Sequence, residues 1–311
     1  MTGKAPPLLI LLGPTGVGKT ELAIDLALHL NGEIVGADSR QIYQYMDIGT
    51  AKPTREQQSL IPHHLIDFVA PDANLSLAEY QDLAYRSIDD LHAEGKLPLL
   101  VGGTGQYITA VEEGWSIPRV PPNHELRAEL EAFVAAHSAG ALHEQLRLAD
   151  PLAAERIHPN NYRRVIRALE VHRLTGQAIS RLQEKTPPPY RILTLGLRLD
   201  RAILYPRVDA RIDRMIEAGF VREVQNLLNL GFGRDLPAMS GLGYLEIAEH
   251  LLDDAPLDLA IERTKFSTHD FIRRQDVWFR GHDNGILWHN VEEIDADFLA
   301  KTVTDWIGPY P

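Results

Sequence analysis

The segment Leu8-Leu9-Ile10-Leu11-Leu12-Gly13-Pro14-Thr15-Gly16-Val17-Gly18-Lys19-Thr20 decides the fold of this chain. Its uninterrupted apolar start predicts a buried strand of a parallel sheet. The remainder satisfies the GxxxxGK[ST] pattern, and Leu22, Leu26 and Leu30 then recur at helical spacing. A strand, a glycine-rich loop and a helix in this order predict a phosphate-binding loop, with a chance glycine-rich turn as the alternative.

The predicted loop explains how a phosphate chain would be held. Its glycines let the backbone curl, so that successive N–H groups and the helix N-terminus face an anion. The Lys19 ammonium would contact the phosphates, and the Thr20 hydroxyl would help to hold Mg²⁺. The pattern does not say whether the ligand is a diphosphate or a triphosphate. The residues assigned to this site are Gly13, Pro14, Thr15, Gly16, Val17, Gly18, Lys19 and Thr20.

The next hundred residues continue the alternation of strands and helices. Residues 33–37 and 97–101 are short apolar runs that predict buried strands, and residues 76–94 between them are typical of a helix. This order predicts an α/β fold in which a P-loop nucleoside-triphosphate-hydrolase-like parallel sheet is flanked by helices.

The composition changes near Pro118 to helix-favouring residues, and no convincing strand follows until residues 192–197. Prolines mark both ends of this stretch, at Pro118 and at Pro187-Pro188-Pro189. We therefore expect an inserted all-helical domain over residues 118–189, and a catalytic core made of residues 1–117 and 190–311. Within the core, residues 207–230 and 257–280 predict two long helices that pack back on the sheet.

Charge and composition restrict the class of protein. The 311 residues carry a formal net charge of -12 and no cysteine, which excludes disulfides, thiolate metal sites and cysteine nucleophiles. The 13 histidines form no recognisable ligand pattern. Between residues 155 and 191, however, eight basic side chains face three acidic ones, so this zone can bind RNA. The apolar run at residues 8–12 is too short to span a membrane, and we expect a cytoplasmic protein without membrane contact.

Two features of the predicted strand ends bear on the chemistry. The strand at 97–101 ends in Gly102-Gly103-Thr104-Gly105 without the carboxylate that a hydrolase uses to organise Mg²⁺, which weakens an ATPase function and leaves a small-molecule kinase open. Asp38 follows the strand at 33–37. It therefore lies at the carboxyl edge of the sheet, where ligands bind beside the phosphate loop.

Seven patches of sequence occur together and in a fixed order. They are residues 13–20, 38–53, 100–107, 164–170, 207–213, Gly243-Tyr244, and Arg273-Arg274-Gln275 with Trp278-Phe279-Arg280. Each patch alone is weak, but the ordered set resembles the tRNA dimethylallyltransferases, also called tRNA isopentenyltransferases, of the IPP transferase family in its bacterial form. The resemblance covers roughly residues 8 to 290.

The resemblance implies transfer of a dimethylallyl group from its pyrophosphate to N6 of the adenosine 3′ of the anticodon. Asp38 is then the candidate base that accepts an N6 proton as the new C–N bond forms, and the Thr104 hydroxyl is expected to donate to a pyrophosphate oxygen. A helix cap or support for the Mg²⁺ shell is the alternative for Asp38.

The resemblance also implies contacts with the tRNA anticodon stem-loop, from which the target adenine must leave its stack. The alternative for the arginine cluster is a solvated helix face with ordinary salt bridges, since Arg167 and Glu170 are spaced i,i+3. The residues assigned to tRNA are Asp38, Ser39, Arg40, Gln41, Thr104, Arg127, Tyr162, Arg163, Arg164, Val165, Ile166 and Arg167.

The C-terminal part departs from the family pattern. His269 stands where arginine is common, Arg273 where lysine is usual, and Leu245 where a lysine often follows Gly-Tyr. We expect Trp278 and Phe279 to belong to the core rather than to stack on bases. The nearest rival function is prenylation of free AMP, ADP or ATP, which needs less of the inserted domain. We expect a monomer, and the sequence leaves open which tRNAs are modified and whether the donor is hydroxylated.

Overall fold

The computed structural model describes residues 5–182, 185–283 and 285–308, so Glu184, which entered the charge balance above, lies outside the described residues. The chain forms two compact units. One unit comprises the chain up to Glu112 and again from Pro189, and the other comprises Glu113–Pro188. The first unit contains residues 13–20, which are called the phosphate loop below. The second unit contains residues 155–188, which are most of the basic zone found in the sequence between residues 155 and 191.

The first unit is built on a six-stranded parallel sheet. Its strands are β1 (Pro7–Leu12), β2 (Gly32–Ala37), β3 (His63–His64), β4 (Leu97–Gly102), β5 (Arg191–Arg198) and β6 (Leu287–Asn290), and they lie in the order β3-β2-β4-β1-β5-β6. All pairs are parallel, which confirms the predicted fold class. The carboxyl ends of β1, β2 and β4 therefore lie side by side, because their chains run in one direction.

Helices cover the sheet and form the second unit. In chain order they are α1 (Lys19–His29), α2 (Arg55–Leu60), α3 (Leu77–Ala93), α4 (Gly105–Glu113), α5 (His124–Ala136), α6 (Ala139–Ala149), α7 (Pro151–Arg156), α8 (Tyr162–Thr175), α9 (Ile179–Leu182), α10 (Arg201–Glu217), α11 (Phe220–Asn229), α12 (Tyr244–Asp253), α13 (Leu257–Gly281) and α14 (Ala296–Ile307). Within the described residues, none of these helices is long and apolar enough to cross a membrane.

The central strand explains why both faces of the sheet are covered. Leu9 and Leu11 pack into one apolar cluster together with α1 and α14, whereas Leu8, Ile10 and Leu12 pack into another with α3 and α4. Because successive side chains of a strand point to opposite faces, an unbroken run of leucine and isoleucine requires helices on both sides.

One predicted helix is wrong in its bounds. Residues 207–230 were expected to form a single helix, but α10 begins at Arg201, where Asp200 caps it, and ends at Glu217. Gly219 then adopts φ 104°, a left-handed conformation that ends the helix and turns the chain into α11. Glycine meets this geometry without the strain that a side chain would add.

The helical unit has a core of its own. Leu130, Leu142, Leu146, Val165 and Leu169 are fully or almost fully buried within it. The unit comprises Glu113–Pro188, whereas the insertion was expected over residues 118–189. Among its described residues lie helices α5 to α9.

Candidate active site

The phosphate loop connects β1 to α1 and leaves the N-terminus of the helix open. Gly16 adopts φ 78°, and a Cβ added there would lie 2.3 Å from Cγ1 of Val208. Gly18 adopts φ 105° and precedes α1 without a side-chain cap. The first N–H groups of the helix therefore have no intrahelical or capping partner and can receive an anion. Val17 is fully buried in the core and lines neither cavity, so its side chain serves the packing of the loop.

Lys19 is held over this loop by the loop itself. Its Nζ donates to the carbonyl oxygens of Gly13 at 3.0 Å and Pro14 at 2.8 Å. Burial lowers the pKa of Lys19 to about 8, an effect that the negative charge of Asp38 partly opposes and the positive charge of Arg211 reinforces. The ammonium is thus a desolvated cation, and an incoming phosphate would favour its charged form.

Asp38 and Thr104 come together at the carboxyl ends of β2 and β4. The Thr104 hydroxyl accepts a hydrogen bond from the Ser39 N–H at 2.9 Å, and Asp38 Oδ1 accepts one from the Arg40 N–H at 2.8 Å. These contacts fix the start of the segment that contains Ser39, Arg40 and Gln41. The close approach of β2 to β4 is possible because Gly102 lies against Ala37, where a Cβ would be 2.0 Å from the Ala37 oxygen.

Two cavities meet at these residues. The phosphate cavity, of about 600 Å³, is lined by Lys19, Thr20, Gln41 and three arginines of α10, among others. The apolar cavity, of about 460 Å³, has a mostly apolar surface, although polar side chains and glycines also line it. Its apolar lining residues include Val208, Ile212, Met215, Phe220, Leu242, Tyr244, Phe271 and Trp278. The residues that line both cavities are Thr15, Asp38, Thr50 and Arg211, whereas Ser39, Arg40 and Thr104 line the apolar one.

The three arginines of the phosphate cavity are Arg207, Arg211 and Arg214. Their spacing along α10 places them on one helix face, directed at the phosphate loop. Desolvation lowers the pKa of Arg211, which is the most enclosed of the three. The sequence motif at 207–213 contains Arg207 and Arg211 and is followed directly by Arg214, but the motif by itself gives these side chains no role. Their i, i+4, i+7 spacing was the signal that could have identified them.

Glu223 of α11 holds the segment that follows Asp38. Its carboxylate accepts hydrogen bonds from the backbone N–H groups of Asp47 at 2.9 Å, Ile48 at 2.7 Å and Gly49 at 3.1 Å. The Tyr244 hydroxyl donates to the same carboxylate at 2.7 Å. Burial and the charge of Glu223 raise the pKa of Tyr244 well above its usual range, so the phenol stays a donor. Nothing in the local sequence indicated this contact.

Helix α13 forms a wall of the apolar cavity. Trp278 packs its indole against Gly105 and donates from Nε1 to the Thr109 hydroxyl at 3.1 Å. Phe279 is 2% exposed and belongs to the core. Trp278 is only half-buried, so it contributes both to the core and to the cavity. His269, which departs from the family pattern, lies 2.9 Å from Asp209.

The helical unit separates the residues assigned to tRNA into two groups. Arg163 and Arg164 on α8 are exposed, and Tyr162 is half-buried. Val165 and Ile166, in contrast, are 0% and 4% exposed and pack in the core of the unit. Helix α8 turns these two side chains toward the core of the unit, and the expected RNA contacts of Val165 and Ile166 stay a prediction for the segment that contains them.

Arg127 and Arg167 are engaged inside the helical unit. The fully buried Glu170 accepts hydrogen bonds from Arg127 Nε at 2.7 Å, from Arg167 Nη1 at 2.6 Å and from the Asn123 N–H at 2.8 Å. Burial alone would raise the pKa of Glu170, but these hydrogen bonds outweigh it and lower the pKa to about 2. Without RNA, both guanidinium groups stabilise a buried carboxylate, and their contact with RNA stays a prediction.

Comparisons with known proteins all identify one family. Residues 41–282 match the model of a family described as IPP transferase. The tRNA dimethylallyltransferase of Chloroflexus aggregans is 56% identical over 281 residues, which are 90% of this chain and 95% of that protein. The protein of the same name from a Roseiflexus species is 51% identical over 302 residues, 97% of this chain and 99% of its own length.

Solved structures give the same picture. The full-length tRNA isopentenylpyrophosphate transferase of Bacillus halodurans aligns with a TM-score of 0.71 and 40% identity, covering 98% of this chain and 96% of that one. A eukaryotic dimethylallyltransferase acting on tRNA aligns with a TM-score of 0.84 and 26% identity, covering 98% of this chain and 80% of that one.

Proposed function

This chain belongs to the IPP transferase family, and from that premise we propose that it transfers a dimethylallyl group from dimethylallyl pyrophosphate to N6 of an adenosine in tRNA, releasing pyrophosphate. The resemblance drawn from the sequence motifs is confirmed by the family match and by the relatives. The protein is thus an enzyme, a prenyl transferase that modifies tRNA. The finer proposal is that the target is the adenosine 3′ of the anticodon, giving N6-(dimethylallyl)adenosine.

One observation carries the proposal for the site: Asp38 lines both the phosphate cavity and the apolar cavity. A pyrophosphate in the first cavity and a five-carbon chain in the second would meet beside this carboxylate. Transfer of an apolar group from a pyrophosphate uses both halves of the site.

The donor half of the site would stabilise the leaving group. As the allylic C–O bond breaks, negative charge grows on the pyrophosphate, and fixed cations and N–H groups aimed at it lower the barrier. Lys19, the amides that open α1 and Arg211 lie around the same cavity and suit this task. The Thr104 hydroxyl accepts from the Ser39 N–H and donates to the Ser39 hydroxyl at 3.3 Å; with pyrophosphate bound, the same proton would turn to a phosphate oxygen.

The proposed Mg²⁺ would be held by Thr20 together with pyrophosphate oxygens and water. Over the described ranges no group of three His, Asp or Glu side chains could hold a metal ion by itself. A site with one hydroxyl ligand suits Mg²⁺, because this ion keeps several waters and is usually bound through substrate phosphates. When bound, Mg²⁺ would neutralise part of the pyrophosphate charge.

The acceptor half centres on Asp38. The lone pair of the adenine amino group is delocalised into the ring, so N6 becomes acidic only as its new bond to carbon forms, and a carboxylate that accepts the proton then lowers the barrier. The adenine would reach Asp38 and the Ser39–Gln41 backbone after leaving its stack. Arg163 and Arg164 are exposed cations suited to phosphates of the anticodon stem-loop.

The decisive experiment offers two acceptors to one labelled donor. The purified protein is incubated with Mg²⁺, labelled dimethylallyl pyrophosphate and either unmodified tRNA or AMP, and the products are identified by mass spectrometry of nucleosides. We expect label in tRNA alone, at N6 of one adenosine, with a steep dependence on salt. Label in AMP alone would establish the rival adenylate prenyltransferase, and a phosphorylated product without prenylated RNA would establish a kinase.

Two further expectations stay proposals. A monomer is testable by sedimentation of the free protein, and a cytoplasmic location, which fits a tRNA substrate, by fractionation of cells.

A further inference from the structure

A buried glutamine of α13 connects two loops of the active site. Gln275 is 5% exposed, and both halves of its carboxamide are used. Its Oε1 accepts a hydrogen bond from the Thr15 N–H of the phosphate loop at 3.0 Å, and its Nε2 donates to the Gly103 carbonyl oxygen at 2.8 Å. These two loops are separated by β2, α3 and β4 in the sequence, and the side chain that links them comes from a third region.

The connection continues from Gly103 to the candidate base. Gly103 directly precedes Thr104, whose hydroxyl accepts from the Ser39 N–H next to Asp38. The fit at Gly103 is close, because a Cβ added there would lie 2.5 Å from Gln275 Nε2 and 3.6 Å from Lys19 Nζ. Three hydrogen bonds and the peptide bond between Gly103 and Thr104 therefore connect the phosphate loop, through Gln275, to the segment that bears Asp38.

We propose that Gln275 is a positioning residue for the transfer reaction: its carboxamide sets the distance between the phosphate loop and Thr104, so that the hydroxyl is aligned with the pyrophosphate held by the loop. The proposal rests on the proposed function. Because Oε1 occupies the Thr15 N–H, the cradle for the pyrophosphate begins at Gly16 rather than at Thr15. Misplacement of a catalytic group by about 1 Å can slow a reaction about 100-fold while leaving binding intact.

A second buried glutamine provides a matched control. Gln81 of α3 is 8% exposed, and its Nε2 donates to the Ala110 carbonyl oxygen at 2.6 Å. It lines neither cavity, so its hydrogen bonding serves the packing of α3 against α4. Replacing Gln275 and Gln81 in turn by the same residue therefore separates the effect of losing a buried hydrogen bond from the effect of losing alignment of the site.

The first experiment measures transfer and binding separately. Gln275→Met keeps the length of the side chain and removes both hydrogen bonds. We expect its single-turnover transfer rate at saturating donor to fall at least 10-fold, as a loss of alignment does. Its dissociation constant for inorganic pyrophosphate should change less than about 3-fold, because the amides from Gly16 onward and Lys19 remain. Gln81→Met should lower the melting temperature and leave rate and binding unchanged. A rate loss fully matched by weaker pyrophosphate binding would overturn the proposal.

A double-mutant cycle with Thr104→Ala tests this connection itself. If Gln275 acts through the Thr104 hydroxyl, Gln275→Met should cost less than about 2-fold in rate once that hydroxyl is gone, since coupled residues are not additive. Equal losses in both backgrounds would overturn the proposal.

Gln275→Glu serves where the Met variant fails to fold. Its carboxylate still accepts from Thr15 but cannot donate to Gly103, so its single-turnover rate at saturating donor should also fall at least 10-fold. A rate within about 2-fold of the wild-type rate would contradict the proposed role. The same assays test the proposed function separately. Transfer by the wild type tests that function, whereas the ratio of each variant's rate to the wild-type rate tests the role of Gln275.

Discussion

The lowered pKa of Lys19 predicts how strongly pyrophosphate binding depends on pH. Burial lowers the pKa of its ammonium from 10.5 to about 8, so the free protein loses this charge as the pH rises through 8. Pyrophosphate binds the charged form, which returns the pKa of Lys19 to a higher value. Binding above pH 8 therefore requires uptake of a proton, and the apparent affinity should fall as the pH rises.

The size of this pH effect follows from the linkage between proton binding at Lys19 and pyrophosphate binding. For a pKa of about 8, the apparent dissociation constant is multiplied by about 1.1 at pH 7, about 2 at pH 8 and about 11 at pH 9. Uptake of about 0.8 proton per pyrophosphate is expected at pH 8.5 from the same pKa.

The matched control is Lys19→Arg, because a guanidinium stays charged over this range. Isothermal titration calorimetry with inorganic pyrophosphate at pH 7, 8 and 9, in buffers of different ionisation enthalpy, measures both the affinity and the protons. Titration of pyrophosphate itself is common to both proteins and cancels in the ratio of their dissociation constants. We expect the ratio of wild type to variant to rise about 10-fold between pH 7 and pH 9. A ratio that stays constant would refute the assigned pKa and with it the desolvated state of Lys19.

Three variants test other parts of the protein. Asp38→Asn should leave pyrophosphate binding within about 3-fold and slow single-turnover transfer by about 10² to 10⁴; near-normal rates would remove Asp38 from the mechanism. A double variant, Arg163→Gln with Arg164→Gln, should bind tRNA with a weaker dependence on salt: the slope of log affinity against log salt concentration should fall by about 1 for each lost phosphate contact. The control Arg147→Gln, at another exposed arginine of the helical unit, should leave that slope unchanged. Glu170→Gln should destabilise the protein by about 3 kcal/mol in urea unfolding, because it breaks a buried ion pair; a loss below about 1 kcal/mol would contradict its role.

Local patterns allowed the framework of the phosphate site to be predicted. The apolar run ending at Leu12 and the glycines before Lys19 predicted β1, the loop and α1 in the places where the structure has them. Ser76 and Gly95, at the two ends of the predicted helix at 76–94, bound α3 as an N-cap and a left-handed stop. Such features can be read directly because caps, glycines and periodicity act between residues close in sequence.

Residue type alone was a poorer guide to the function of single side chains. In the helical unit, Val165 and Ile166 were assigned to RNA with their neighbours, but the helix turns them into the core. Arg127 and Arg167 carry the right charge for RNA, yet both bind Glu170. Whether a cation faces solvent or a buried carboxylate depends on which helices pack together, and the charge balance of a segment does not contain that information.

Local sequence patterns were sufficient to predict a phosphate-binding loop at residues 13–20, a parallel sheet with Asp38 and Thr104 at one edge, and a helical segment that interrupts the core. What surrounds these features depends on tertiary packing. Arg211, Glu223 and Gln275 reach the site from helices far along the chain, and each acts through contacts with distant residues. Hydrogen bonds and desolvation at such distances arise from packing, which local propensities do not specify.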